Sequence, residues 1–306
     1  MTAAAEGSAS LAARRRRSGK ALLQSESFQG LALISPTLLY ALVLLVTPIL
    51  VVIAHSFWSQ HYLPIDRTFP LKNYRIALPE PIYRDLLWRS LTISLLVSLF
   101  TVVLAYPIAY FISFHGGRRK GLWLFLITIP FWTSYLLRVM SWKVILGYNG
   151  VLNSALMGLG ITSEPSTALL YNSSAVIITL THAWAAFAIL PIFVSLEKVD
   201  RTLVEAATDL GDGPLRSFLR VTLPLSAPGV ISALLIVMIP TVGDYVTPKL
   251  VGGKDGVMIA NAIQAQFGKA ANWPLGAALS VTTMVVVSLM AGAAVFIIRS
   301  AVRLAR

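Results

Sequence analysis

Glu205, Asp209, Asp212, Arg216 and Arg220 crowd the stretch VEAATDLGDGPLRSFLRVTLPLSAPG, residues 204–229, which lies between two long apolar runs. Charges of both signs on so short a polar insert suit recognition of another protein surface. Glu205 and Asp209 are four apart, so on a helix they share a face and leave an acidic patch that a basic partner would neutralise. Arg201 stands four before Glu205 and is placed for an ion pair with it. A further acid, Asp244, falls inside the apolar run that follows. A carboxylate within a membrane segment marks a substrate or ion path by default. Here it sits beside Gly243 and between Pro240 and Pro248, which loosen a helix and free backbone groups to line a cavity. With Tyr245, Trp132, Tyr135 and Trp184 as aromatic faces, Asp244 suits a cationic amine through charge and cation–π attraction. The other reading pairs it internally with Arg138 or Lys143, the usual remedy for buried charge.

Enzymatic chemistry finds no footing. The chain has no cysteine, which excludes a disulfide framework, a thiolate metal site and a catalytic thiol. His55, His61, His115 and His182 lack ligand-like spacing, so no metal site is expected. No paired carboxylates or clustered histidines fall within the apolar runs. No G-x-x-x-x-G-K-[ST] phosphate loop is present, so any ATP-driven step must draw on other subunits.

The elements that would position these residues are membrane helices. Of 306 residues 56% are hydrophobic and 12% charged, and the mean hydropathy is +0.74, far above that of an average soluble domain. A helix needs roughly 20 apolar residues to cross the hydrocarbon core, and six segments qualify: 30–55, 90–113, 121–145, 174–196, 225–250 and 275–299. The fold class is therefore all-α integral membrane. The third segment carries Arg138 and Lys143 and the fifth carries Asp244, so both should be shielded from lipid. Residues 1–29, small, polar and basic, read as a disordered tail and not as a signal peptide. The run 151–159 is too short to span and reads as a surface helix. The segment from Ser59 to Asp85, rich in Pro and Tyr, reads as a loop holding a short helix.

Orientation follows from Lys and Arg in the connecting loops. With the N-terminus in the cytoplasm, 15 basic residues fall inside and 8 outside. Both termini and the 204–229 stretch are then cytoplasmic. That stretch reads as a helix–turn–helix hairpin over residues 200–224. Asp200 is a good N-cap, Gly211 stops the first helix, and Pro214 opens the second. Leu203, Val204, Ala207 and Leu210 form an inner face on the first, and Leu215, Phe218, Leu219 and Thr222 on the second. An amphipathic helix at the lipid surface is the competing reading, but Glu205, Asp209 and Asp212 face anionic lipid unfavourably.

The run EAATDLGDGPLRSFLRVTLPL resembles the EAA loop of ABC importer permeases: Glu205, Ala206, Ala207, Gly211, Leu223 and Pro224 fall on its pattern without gaps. The resemblance implies a type I ABC importer permease fold with a cytoplasmic coupling hairpin that docks in a groove of an ATPase subunit, with Asp209 on the docking helix. The segments RSLTISLLVSLFTVVLAYPIAYFISF, IPFWTSYLLRVMSWKVIL, GDYVTPKLVGG and ANWPLGAALS are similar to the subfamily serving spermidine and putrescine importers. What this implies is a bacterial inner-membrane permease core over about 86–300, a related second permease, two ATPase copies holding ATP and Mg, and a periplasmic solute-binding protein. No cofactor is implied in this chain and no nucleic acid as partner. A gradient-driven carrier using Asp244 as its ion site is the alternative; it would need inverted internal repeats, and none is evident.

Overall fold

The computed structural model describes residues 26–60, 65–66 and 71–304. The tail expected over 1–29 lies outside them, save for its last four residues, which already belong to the first helix. That helix, α1 (Glu26–Ser56), is almost wholly a unit of its own, polar at its two ends, apolar between them and continuous through Pro36 and Pro48.

The second unit begins at Ser56. A two-residue antiparallel pair joins β1 (Ser59–Gln60) to β2 (Ile65–Asp66), and the short helix expected in this loop is α2 (Lys72–Ala77). Asn73 ties α2 down by donating its amide to the carbonyls of Ser56 and Trp58. Next comes α3 (Pro81–His115), which starts nine residues before the segment expected from hydropathy. Pro81 at its first turn has the right φ and no amide to satisfy, and the polar first turns with Arg84 and Asp85 extend the helix past the apolar part.

The third expected span is broken. It comprises α4 (Lys120–Thr128), a 3-10 turn at Ile129–Trp132, and α5 (Tyr135–Leu146), with a bend of 85° at the break. Thr133 and Ser134 are extended, and Pro130 cannot donate into the helix ladder. The surface helix expected at 151–159 is α6 (Val151–Gly158), anchored by the buried Asn153, whose side chain bonds Gly147 and Ser166. α7 (Ser173–Leu196) follows, N-capped by the Asn172 carbonyl oxygen, which accepts from the Ala175 amide.

The hairpin consists of α8 (Arg201–Asp209) and α9 (Pro214–Ser217). Its second leg does not end: a π turn over Phe218–Thr222 carries it directly into α10 (Leu223–Val242), so Pro224 lies inside one continuous helix and not at a boundary. The fifth expected span stops at Val242. After the break come α11 (Val246–Val251), α12 (Ile259–Gly268) and the long α13 (Trp273–Leu304). Among the described residues five helices are long and apolar enough to cross a membrane, or six with the bent third.

The core is the trio α3, α7 and α10. Small residues let these helices approach closely. On α3 the buried face reads Ser90, Ser94, Ser98, Thr101, Ala105 and Ala109, the hydroxyls bonding back to their own helix carbonyls. On α10, Gly229 lies against α7; a Cβ there would come within 2.6 Å of the Pro191 carbonyl oxygen. Val97, Val176, Leu180, Ile192 and Val237 fill the remaining space.

Candidate functional site

The two broken spans meet at Asp244. Residues 243–245 separate α10 from α11, so the first amides of α11 have no helical partner. Asp244 supplies one: its Oδ1 accepts from the amides of Val246 at 2.8 Å and Thr247 at 3.4 Å. Its Oδ2 accepts from the Tyr135 hydroxyl, at the start of α5, at 2.5 Å, and the same hydroxyl is 2.6 Å from Thr247 Oγ1. The carboxylate therefore joins the break in one span to the break in the other.

Arg138 answers the opposite need. The bend before α5 leaves carbonyls unpaired, and Arg138 Nη2 donates to those of Pro130 and Thr133, both at 3.3 Å. Its Nη1 reaches the Ala183 carbonyl on α7 at 3.2 Å, and the guanidinium lies 4.5 Å from the centre of the Phe131 ring. Of the two readings of Asp244, the internal ion pair with Arg138 or Lys143 is not formed. Asp244 serves freed amides, Arg138 serves freed carbonyls, and Lys143 faces the Tyr171 ring at 5.9 Å. Non-helical backbone at membrane depth is tolerated when such groups satisfy it.

The remaining path candidates do not converge on Asp244. Tyr245 is adjacent in sequence, exposed, and gives its carbonyl to Asn261. Trp132 is 75% exposed and meets Phe125 edge-on. Trp184 packs on Phe187, and its Nε1 is buried without a partner. A cavity of about 340 Å³ opens beside α5, lined by Arg138, Trp142, His182 and neighbouring apolar side chains. Among the described residues no carboxylate lines it, and the Arg138 guanidinium beside it is already engaged by backbone carbonyls. Thr247 was not foreseen as a member of the Asp244 cluster; its place three residues on, at the start of α11, was the available signal.

At the other end of the bundle the hairpin follows its sequence closely in backbone and less so in side chains. Asp200 caps α8, accepting from the Thr202 amide at 3.0 Å, and that bond holds its carboxyl below the usual range. Gly211, at φ +89°, ends α8 in a Schellman arrangement: its amide donates to Thr208 and that of Asp212 to Ala207. Arg220 braces the turn by donating to Asp212 at 3.2 Å. Of the EAA residues, Glu205, Ala206 and Asp209 are exposed, Ala207 and Pro224 are buried, and Leu223 is half-buried. The expected inner face is narrower than its spacing implied. Ala207, Phe218 and Thr222 turn inward, whereas Leu210 is 89% and Leu215 71% exposed, and Leu203 and Leu219 are each about half exposed. A two-helix hairpin this short has room for one inward row. Arg201 does not pair with Glu205; it donates to the Ser113 carbonyl at 3.1 Å.

Beside the hairpin, Glu197 Oε1 accepts from Lys120 Nζ and Ser113 Oγ, each at 2.6 Å. Desolvation raises the Glu197 carboxyl, but these two bonds and the charges of Lys120 and Arg201 outweigh it and hold it below the usual range. This cluster was missed because its members come from three separate segments.

A family model described as "binding-protein-dependent transport system inner membrane component" matches residues 90–304. The chain belongs to that family. Its members are transport permeases and not enzymes. Among relatives of this permease, the spermidine/putrescine transport system permease protein PotB of Escherichia coli (strain K12) is 38% identical over 244 residues, 79% of this chain and 88% of that protein. PotB of Salmonella typhimurium (strain SL1344) is 36% identical over 268 residues, 87% and 92%. The inner membrane ABC transporter permease protein YdcU of Escherichia coli (strain K12) is 30% identical over 232 residues, 72% and 73%. In fold the permease matches a chain from a bacterial ABC transporter that imports the acidic polysaccharide alginate, with TM-score 0.68 at 16% identity over 93% of this chain and 99% of that one. The broken third and fifth spans and the hairpin thus belong to an ABC importer permease fold. The gradient-driven alternative gains no support.

Proposed function

We propose that the chain is the permease subunit of an ATP-driven importer that carries spermidine, putrescine or a closely related amine across a bacterial inner membrane. One observation carries the substrate class: permeases named for spermidine and putrescine align with most of this chain and most of their own length. Asp244 gives that reading a chemical anchor, as a membrane-embedded carboxylate whose neighbours are hydroxyls and not cations. The Arg138 cavity, which lacks an acid, has no part in binding the amine.

The permease works with a related second permease, two ATPase copies that bind ATP and Mg, and a periplasmic binding protein that delivers the solute. The hairpin and both termini lie in the cytoplasm, in accord with the excess of Lys and Arg on that side. Glu205, Ala206, Asp209 and Gly211 form the docking surface, backed by the buried Ala207, with Leu223 and Pro224 in the first turn of α10. The outward leucines of the hairpin favour this reading over a solvent-exposed loop, since an apolar patch rimmed by charge marks a contact surface. ATP-driven closure of the ATPases moves the hairpin, the spans open toward the docked binding protein, and hydrolysis resets them.

Uptake tests the substrate class. Cells without polyamine uptake of their own, given this permease with its partner subunits, should accumulate labelled putrescine, and unlabelled spermidine should compete. Accumulation of an acidic or neutral solute, with none of putrescine or spermidine, would overturn the amine reading.

A further inference from the structure

The hairpin is poorly held by apolar packing: Ala207 is the one buried residue of α8. Its grip on the bundle lies elsewhere. The last turns of α3 carry Tyr106, Tyr110 and Phe114, four apart, so the three rings stand in a row on one face. Tyr110 and Phe114 are stacked with centroids 4.6 Å apart. The first leg of the hairpin holds the end of this row, where the Arg201 guanidinium lies 5.4 Å from the centre of the Phe114 ring and donates to the Ser113 carbonyl. The second leg holds its middle. Phe218 meets Tyr106 edge-on at 5.5 Å and Tyr110 at 6.2 Å, and the Tyr106 hydroxyl is 2.7 Å from Ser226 Oγ on α10. Glu197 completes the clasp by accepting from Ser113 and Lys120.

The same helix reaches the other end of the bundle. There Ser90 Oγ accepts from the Ile259 amide at 2.8 Å, and Arg89 Nη1 donates to the Lys254 carbonyl at 3.1 Å. Residues 254–259 run from the segment after α11, the helix that Asp244 caps, to the first residue of α12. At 35 residues, α3 is roughly 50 Å long by the helical rise.

We propose that Tyr106, Tyr110 and Phe114 are positioning residues for energy coupling: they fasten both legs of the hairpin to α3, which moves with it as one body and transmits that motion to the segment after α11. This inference rests on the transport reading above. Neither leg slides along α3 during the cycle, and the π turn at Phe218–Thr222, a local irregularity of a kind frequent at functional sites, lies at the second grip.

The test uses the full assembly in liposomes, measuring putrescine moved per ATP hydrolysed together with binding-protein-stimulated hydrolysis. Tyr110→Ala should lower the transport ratio roughly two- to thirtyfold, the range over which single residues modulate coupling between remote sites, while stimulated hydrolysis persists. Tyr110→Phe, which keeps the ring, should retain the native ratio. Because the natural chain has no cysteine, a double variant, Phe114→Cys with Arg201→Cys, can be bridged by a short bis-maleimide. Unbridged it should be uncoupled, and bridging should restore the ratio. An unchanged ratio in Tyr110→Ala, loss of hydrolysis and transport in parallel in both Tyr110 variants, or inhibition on bridging would each overturn the proposal. The native chain is read separately: its failure to move putrescine with ATP would count against the transport reading.

Discussion

Tyr135 donates its hydroxyl to the Asp244 carboxylate at 2.5 Å, linking the break in the third span to the break in the fifth. Both residues border interrupted helices, and Asp244 also caps α11. Asn is as good a cap as Asp through its Oδ1, and its Nδ2 can donate to the Tyr135 hydroxyl, which then donates to Thr247 Oγ1, so Asp244→Asn separates charge from structure. The variant should insert and melt like the native chain while putrescine uptake falls at least about tenfold, equivalent to about 1.4 kcal/mol. Asp244→Ala should lose uptake and in addition cost about 1 kcal/mol of stability through the lost cap. Uptake normalised to the amount of inserted protein, with thermal unfolding in detergent, checks both. Native uptake by Asp244→Asn would remove the carboxylate from the path.

Gly211 has φ +89° and open space where a Cβ would stand. Any penalty for replacing it is therefore conformational and not steric. Asn visits positive φ more readily than other side chains, and β-branched residues least. Uptake should fall in the order Gly211, Gly211→Asn, Gly211→Ala, Gly211→Val, with membrane insertion unchanged. Equal uptake across the series would mean that the turn has no part in coupling.

Gly229 is the converse case. An added Cβ would lie 2.5 Å from Ser195 Cβ and 2.6 Å from the Pro191 oxygen, so α10 must move off α7. Overpacking of this kind costs about 1–3 kcal/mol. Gly229→Ala should lower the melting temperature in detergent, whereas Gly121→Ala, with nothing within 4 Å of the new atom, should leave it unchanged.

The sequence announced the spans, the hairpin, its cap and its stop, because those depend on apolar runs and on local backbone chemistry at Asp200 and Gly211. It misplaced what depends on the partner across a gap. Hydropathy treats 121–145 as one span, since Pro130, Thr133 and Ser134 barely lower an apolar average, yet they turn the chain through 85°. The sequence leaves Asp244 open between a substrate path and a pairing with Arg138 or Lys143; the two breaks show Asp244 and Arg138 each serving as a backbone partner. Leu203 and Leu210 obey helical spacing, yet among the described residues Leu203 is about half covered and Leu210 hardly at all. The row Tyr106, Tyr110 and Phe114 looks like an ordinary span face until Phe218 and Arg201 come against it.

Glu197 gives a pH signature. Its carboxyl is held below the usual range in the folded chain, chiefly against desolvation by the Lys120 and Ser113 hydrogen bonds. A depressed carboxylate stabilises fully above its unfolded pKa, near 4.5, and that contribution is lost as pH falls through the lower folded value. The pair is partly exposed, so the effect is under about 1 kcal/mol. Melting temperature in detergent should decline between pH 5 and pH 3 more steeply for the native chain than for Glu197→Gln. Identical slopes would show that the cluster adds nothing.

Recovery of partners from the membrane tests the account most directly. The tagged full-length chain, extracted in mild detergent and analysed by mass spectrometry, should bring down an ATPase and a second permease of the same family, and Gly211→Val should bring down less ATPase. Recovery of the chain alone, in a detergent that keeps other such assemblies intact, would contradict the account.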